Sequence, residues 1–143
     1  MLVKQISVFI ENKSGRLADV VSCLATEGID TRALSLADTT NFGVLRLIVD
    51  QPERAMETLK KSNFAASTTE VISVMIPDIP GGLAEVLNIF SDKDIDIEYM
   101  YAFIGKESEK ATVILRIDNP QEAIKKLEGS KIELLPAERV YSM

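Results

Sequence analysis

Two tandem α+β units are the fold the sequence predicts. Each runs strand, helix, strand, strand, helix, strand, with an antiparallel sheet and its helices on one face. Three repeated features point to this. The segment Asn12-Lys13-Ser14-Gly15-Arg16-Leu17 lies between an alternating apolar run and a stretch of helical periodicity, and Asp78-Ile79-Pro80-Gly81-Gly82-Leu83 occupies the same setting 66 positions later. The apolar stripe Leu17, Val20, Val21, Leu24 recurs at that offset as Leu83, Val86, Leu87, Phe90. The helix start Asp50-Gln51-Pro52-Glu53 recurs 68 positions on as Asp118-Asn119-Pro120-Gln121.

Taken in order, the first segment, Leu2 to Glu11, sets Ile6, Val8 and Ile10 on one side and Gln5, Ser7 and Glu11 on the other, with Phe9 the exception. This predicts a strand with one buried face. Leu17, Val20, Val21 and Leu24 fall at i, i+3, i+4 and i+7, one stripe of a helix that Gly28 should end. Residues 29–38 alternate again, 38–43 form a polar turn, and Val44 to Val49 is β-rich, which together read as a hairpin. In Asp50-Gln51-Pro52-Glu53, Asp can cap free N–H groups, Glu can answer it, and Pro suits the first turn; Ala55, Met56 and Leu59 supply the buried stripe. A closing strand is expected from about Phe64.

From Val71 the order restarts. Ile72, Val74 and Ile76 repeat the first strand, and Asp94 replaces the helix-ending glycine, a residue that tolerates the left-handed conformation better than most. The following strand sets Ile97, Tyr99, Tyr101 and Phe103 on one side and Met100 and Ile104 on the other. Ala123, Ile124 and Leu127 mark the second helix, and residues 132–140 are expected as the closing strand. Two units, 1–69 and 70–143, follow, each with the split βαβ order of the ferredoxin-like fold. Because helices cover one face of each sheet, the aromatic second face is expected to pack on another sheet or protomer, and the chain to be a homodimer.

Composition narrows function. The 143 residues carry a formal charge of −6 and no cluster of Lys or Arg, so binding to a nucleic-acid backbone lacks its electrostatic basis. With no histidine and a single cysteine, Cys23, the chain cannot build a Cys/His metal cluster, a Ser-His-Asp triad or a Cys-His pair. Cys23 sits among Val20, Val21 and Leu24 and reads as a small buried apolar residue. No acid, base and nucleophile constellation is visible, so no enzymatic activity and no cofactor are expected. No apolar run is long enough to cross a bilayer and no signal peptide is recognisable, so no membrane partner is expected and the cytoplasm is the default location.

The two repeated turns are the places to look for a ligand. Each ends a strand, bends at glycine and opens a helix whose first N–H groups are unpaired, a setting that suits a small carboxylate or phosphate. On these residues the chain resembles the ACT domain family, small ferredoxin-like regulatory modules that bind amino acids, over nearly its whole length as two copies. In that family the turn commonly reads Asn or Asp, two variable residues often including Pro, then Gly, a variable residue and Leu. Asn12, Gly15 and Leu17 match it, as do Asp78, Pro80, Gly81 and Leu83. Ile29-Asp30 and Ile95-Asp96 resemble the apolar-acidic pair that precedes the family's second strand. The first copy departs from the pattern in having Ser14 where Pro is common and in the cation of Arg16.

The resemblance implies an amino-acid ligand whose carboxylate meets the N–H groups around Gly15 or Gly81. Its ammonium would meet Asp78 or the Asn12 amide oxygen, with Asp30 and Asp96 as further candidates and Gly82 giving room for close approach. It further implies a stand-alone regulator of a separate metabolic enzyme. The alternative is an interaction subunit that binds no ligand, resembling the small subunit of an acetolactate-synthase-like biosynthetic enzyme.

Overall fold

The computed structural model describes residues 2–38, 41–104 and 109–143. By its contacts the chain divides into two compact units, one of residues 4–69 with 141–143, the other of residues 70–140 with 1–3. Both are α+β and ferredoxin-like.

The first unit contains β1 (Val3–Glu11), α1 (Arg16–Thr26), β2 (Thr31–Asp38), β3 (Phe42–Val49), α2 (Pro52–Lys61) and the start of β4 (Ala65–Pro77). Its strands lie in the order β2-β3-β1-β4. β1 and β3 are antiparallel with Ile6 opposite Leu47 and Glu11 opposite Phe42, and β2 and β3 are antiparallel with Asp38 opposite Gly43. Ile6, Val8 and Ile10 of β1 and Leu45, Leu47 and Val49 of β3 meet Val20 and Leu24 of α1 and Ala55 and Leu59 of α2 in one core. The polar turn expected at 38–43 lies partly outside the described residues, at 39–40.

The second unit contains the rest of β4, α3 (Gly82–Asp92), β5 (Ile97–Ala102), β6 (Lys110–Ile117), α4 (Pro120–Leu127), β7 (Glu133–Leu134) and most of α5 (Ala137–Ser142). β7 and β6 flank β4, and β5 follows β6. Ile72, Val74 and Ile76 pack with Val86 and Phe90 of α3 and with Ala123 and Leu127 of α4. The helix-ending turns match as well. Gly28 and Asp94 are both left-handed, at φ 69° and 59°. The N–H of the residue after each, Ile29 or Ile95, donates back to the Leu24 or Phe90 carbonyl at 3.0 or 2.9 Å, the six-to-one bond of a Schellman cap.

Several expectations are corrected. The closing strand of the first unit and the opening strand of the second are one unbroken element, β4. The strand expected at 132–140 is only two residues long: Pro136 has no N–H for a ladder, and its carbonyl instead accepts from Arg139 and Val140 at the start of α5. Ile97 joins Met100 on the helix side, because a register shift between Ile97 and Tyr99 breaks the alternation. The second sheet face, expected to pack on another sheet or protomer, is already largely buried in the single chain, through Gln5, Ser7, Ala33 and Ile48 in the first unit and Ser73, Met75, Thr112 and Ile114 in the second. The argument for a dimer from an uncovered face therefore does not hold. The burial of Gln5 and Ser7 is made tolerable in part by a bond from Gln5 Nε2 to Ser7 Oγ, 3.2 Å.

Candidate functional site

Both repeated turns fold alike. Gly15 and Gly81 are the residues before α1 and α3, and both have φ 88° and ψ −12°. That left-handed conformation is why glycine is needed there. In each turn the first intrahelical donor is the fourth residue after the glycine, Asp19 N–H to the Gly15 carbonyl and Glu85 N–H to the Gly81 carbonyl, both 2.9 Å. Arg16 and Gly82 donate to the turn carbonyls of Lys13 and Ile79. Helix geometry then leaves the Leu17 and Ala18 N–H groups in one turn, and those of Leu83 and Ala84 in the other, without an intrahelical acceptor. These are the donors an incoming carboxylate would use, at the positive end of the helix dipole. Asp19 and Glu85, each in the first turn of its helix, already complement part of that dipole.

The register of the sheet adds residues that the sequence reading missed. Because β3 is antiparallel to β1, the β2–β3 connection returns beside the first turn: Asn12 N–H donates to the Asn41 carbonyl at 3.2 Å. A hollow of about 350 Å3 is lined by Glu11, Asn12, Lys13, Asn41 and Phe42. Lys13 pairs with Glu11 at 2.8 Å, and its hydrogen bond and charge hold the Glu11 carboxyl below the usual glutamate range, with Arg16 adding a smaller pull. At the second turn the Asp78 N–H donates to the Glu109 carbonyl at 3.0 Å. Lys110 lies opposite Pro77 and pairs with Glu133 at 2.6 Å. Following the hairpin register from the first strand outward would have found both sets.

The expected site residues divide. Asn12, Gly15, Arg16 and Leu17 are together at the first turn, and Asp78, Pro80, Gly81, Gly82 and Leu83 at the second. Asp30 and Asp96 are not with them. They precede β2 and β5, at the far ends of α1 and α3, and eleven helical residues span about 16 Å. Asp30 is held there by a reciprocal exchange. Its N–H donates to Asp50 Oδ1 at 2.9 Å, its carbonyl accepts from the Asp50 N–H at 3.1 Å, and its carboxylate pairs with Arg32 at 2.9 Å. Asp96 shares a hollow of about 160 Å3 with Asp94, Asp118, Asn119, Glu122 and Lys126.

Two further residues have close neighbours within their own unit. The Arg16 guanidinium lies 5.2 Å over the Phe64 ring and 3.7 Å from Asp19. Gly82 is buried, and a β-carbon there would stand 2.1 Å from the Pro77 carbonyl oxygen. The room it provides is therefore taken by its own strand and not by a ligand. A wider hollow of about 570 Å3 lies elsewhere in the second unit, between α3 residues such as Glu85, Asn88 and Asp92 and the 129–131 turn.

Two ferredoxin-like modules in one chain, each with a glycine-capped turn between its first strand and first helix, define a paired-module protein. The chain belongs to the ACT domain family: the family model for an ACT domain pair matches residues 1–142. Among solved structures it is similar to a protein of Bacteroides thetaiotaomicron, at 40% identity over 100% of this chain and 98% of that one, with a TM-score of 0.93. It is also similar in fold to the regulatory subunit of aspartate kinase from Thermus thermophilus (18% identity, 88% and 91% of the two chains, TM-score 0.63). The subunit from Thermus flavus is alike (17% identity, 97% and 90%, TM-score 0.60). No curated protein matches the sequence. Among the described residues no helix is long and apolar enough to cross a membrane.

Proposed function

We propose that this chain is a non-catalytic regulatory protein that binds a free amino acid at its glycine-capped turns and modulates a separate metabolic enzyme. The observation that carries the reading is the identical backbone of Gly15 and Gly81, each at a helix N-terminus without a side-chain cap, where helix geometry leaves the first N–H groups without an intrahelical acceptor. Such a terminus takes the ligand's α-carboxylate. An acceptor for the ammonium stands five residues or fewer before each helix, in the Asn12 amide and the Asp78 carboxylate. Binding that differs between two states of the chain would then bias an enzyme in contact with it.

Thermal unfolding with a panel of L-amino acids tests this. A ligand at 100 times its Kd stabilises by roughly 2.7 kcal/mol, a shift of several degrees for a chain of this length. Amide NMR then locates the site without mutation. The responding N–H signals should be those of 81–85, or of 15–19, while the decarboxylated amine should move neither the transition nor those signals. The interaction-subunit reading has its own support, since Ile79 and Leu83 beside the Gly81 turn are 63% and 41% exposed. A panel without any response favours it.

A further inference from the structure

In the first unit α1 and the turn after α2 are in contact, with Cys23 Sγ 3.1 Å from Ser62 Oγ. The corresponding residues of the second unit, Ile89 and Ser130, instead line the hollow of about 570 Å3 between α3 and the 129–131 turn. Two differences between the units shape it. Lys61, the last residue of α2, corresponds to Gly129, but α4 stops at Leu127 and Gly129 turns left-handed at φ 77°. Ser130 is then tied back to its own helix: its hydroxyl donates to the Leu127 carbonyl at 2.6 Å and accepts from the Ile132 N–H at 3.2 Å. The other difference is at the start of the helix, where Gly82 stands in the place of Arg16. The first unit sets the Arg16 guanidinium against Asp19 and Phe64. The second keeps the carboxylate, as Glu85 in the wall of the hollow, without an arginine to meet it.

We infer that this hollow binds a free guanidino amino acid of the L-arginine type, at a site separate from the glycine-capped turns. The guanidinium goes to Glu85, the α-ammonium to Asp92, and the α-carboxylate to Lys93 and Lys131. The size is that of a small-molecule pocket, roughly 300–1,000 Å3. Glu85, Asn88, Ile89 and Asp92 fall at i, i+3, i+4 and i+7 and share one face of α3. Glu85 is in the first turn of that helix and Asp92 ends it, about 10 Å further along the axis. Between them the half-buried Ile89 offers apolar surface to a methylene stem. Among the described residues the side chains of Glu85, Asn88, Asp92, Lys93 and Lys131 have no hydrogen-bond or ion-pair partner, so a ligand displaces no internal pair. A phosphate would meet two carboxylates and a polyamine two ammonium groups, whereas a molecule with a cation at one end and a zwitterion at the other answers every charge in the wall. Guanidinium suits Glu85 better than ammonium does, because its planar fork pairs with a carboxylate through two bonds and leaves a donor for the Asn88 amide.

Amide NMR of the full chain titrated with L-arginine to about 10 mM, enough to load a site with a Kd near 1 mM, carries the test. The signals of 88–93 and 129–131 should move together with one saturating midpoint. Citrulline, which has the shape of arginine without the guanidinium charge, and agmatine, which lacks the carboxylate, should each bind about tenfold more weakly. Glu85→Gln should remove the preference for arginine over citrulline, and Lys131→Gln should reduce the preference over agmatine. Should either variant misfold, the three ligands on the wild type still decide. Unmoved signals at 88–93 and 129–131, or citrulline or agmatine binding as tightly as arginine, would overturn the inference. So would an arginine response confined to 15–18 and 81–84, although that result would leave the function proposed for the turns standing.

Discussion

Gly82→Ala and Gly81→Ala replace adjacent glycines, yet the structure gives them different costs by different mechanisms. At Gly81 an added β-carbon meets nothing within 4 Å, so the penalty is only that of holding a residue at φ 88°, about 1–2 kcal/mol. At Gly82 the β-carbon would lie 2.1 Å from the Pro77 carbonyl oxygen and 3.1 Å from its carbon. That neighbour is backbone of β4, and Pro77 lies opposite Lys110 in the ladder, so relief requires the strand end or the first turn of α3 to move. Forced overpacking of this kind costs about 1–3 kcal/mol and sometimes more, and an overlap this deep belongs at the upper end, about 3 kcal/mol or above. Urea unfolding of the two variants beside wild type measures both costs. Gly15→Ala provides a control, since it shares the φ of Gly81 and its open surroundings, and it should match Gly81→Ala. If Gly81→Ala costs as much as Gly82→Ala, the close approach at Pro77 is not what demands glycine at position 82. The comparison also bears on function: a loss of ligand response in Gly82→Ala reports a displaced helix, whereas the same loss in the better-tolerated Gly81→Ala reports the turn.

Two smaller predictions rest on the helix starts and the surface charges. Asn119 Oδ1 accepts from the Glu122 N–H at 3.2 Å and its Nδ2 donates to Glu122 at 3.1 Å, so Asn119→Ala should cost about 1 kcal/mol. Gln51, the corresponding residue of α2, makes no side-chain cap bond, and Gln51→Ala should cost only a few tenths in the same urea experiment. Glu53 is held below its ordinary pKa chiefly by the hydrogen bond from Lys4, 2.7 Å away. Its folded-state pKa is lower than the unfolded one, so the stability it contributes is present above the ordinary glutamate value and is lost as pH falls through the folded pKa. In an NMR titration Lys4→Met should raise the Glu53 midpoint toward the ordinary value. Its effect on stability at neutral pH should stay under about 1 kcal/mol, because both side chains are exposed.

What could be read from the sequence was whatever depends on local periodicity, and what could not was whatever depends on which distant segment arrives at a given place. The stripe at Val20 and Leu24, its copy at Val86 and Phe90, and the left-handed Asp94 all follow from residues within a turn or two of each other, and the structure has them. Asp50 shows where such reasoning ends. Its spacing before Pro52 is that of a helix cap, but its carboxylate accepts from Asp30, twenty residues away, which enters at the edge of the sheet. At the equivalent place in the second unit the cap is Asn119, one residue later than the aspartate that begins that repeat. The candidate site obeys the same rule. The turns were visible because glycine, the preceding strand and the following helix are contiguous, whereas Asn41, Glu109 and Lys110 reach them only through the antiparallel register of β1 with β3 and of β4 with β6. Asp30 and Asp96 were drawn into the site by the family resemblance, and the length of one helix separates each of them from the turn of its own unit. Within one unit, then, an acceptor for a bound ammonium would have to come from the turn itself or from the β2–β3 and β5–β6 connections beside it, and under the proposed function Asn12 and Asp78 are the turn side chains on which recognition of the α-ammonium would depend.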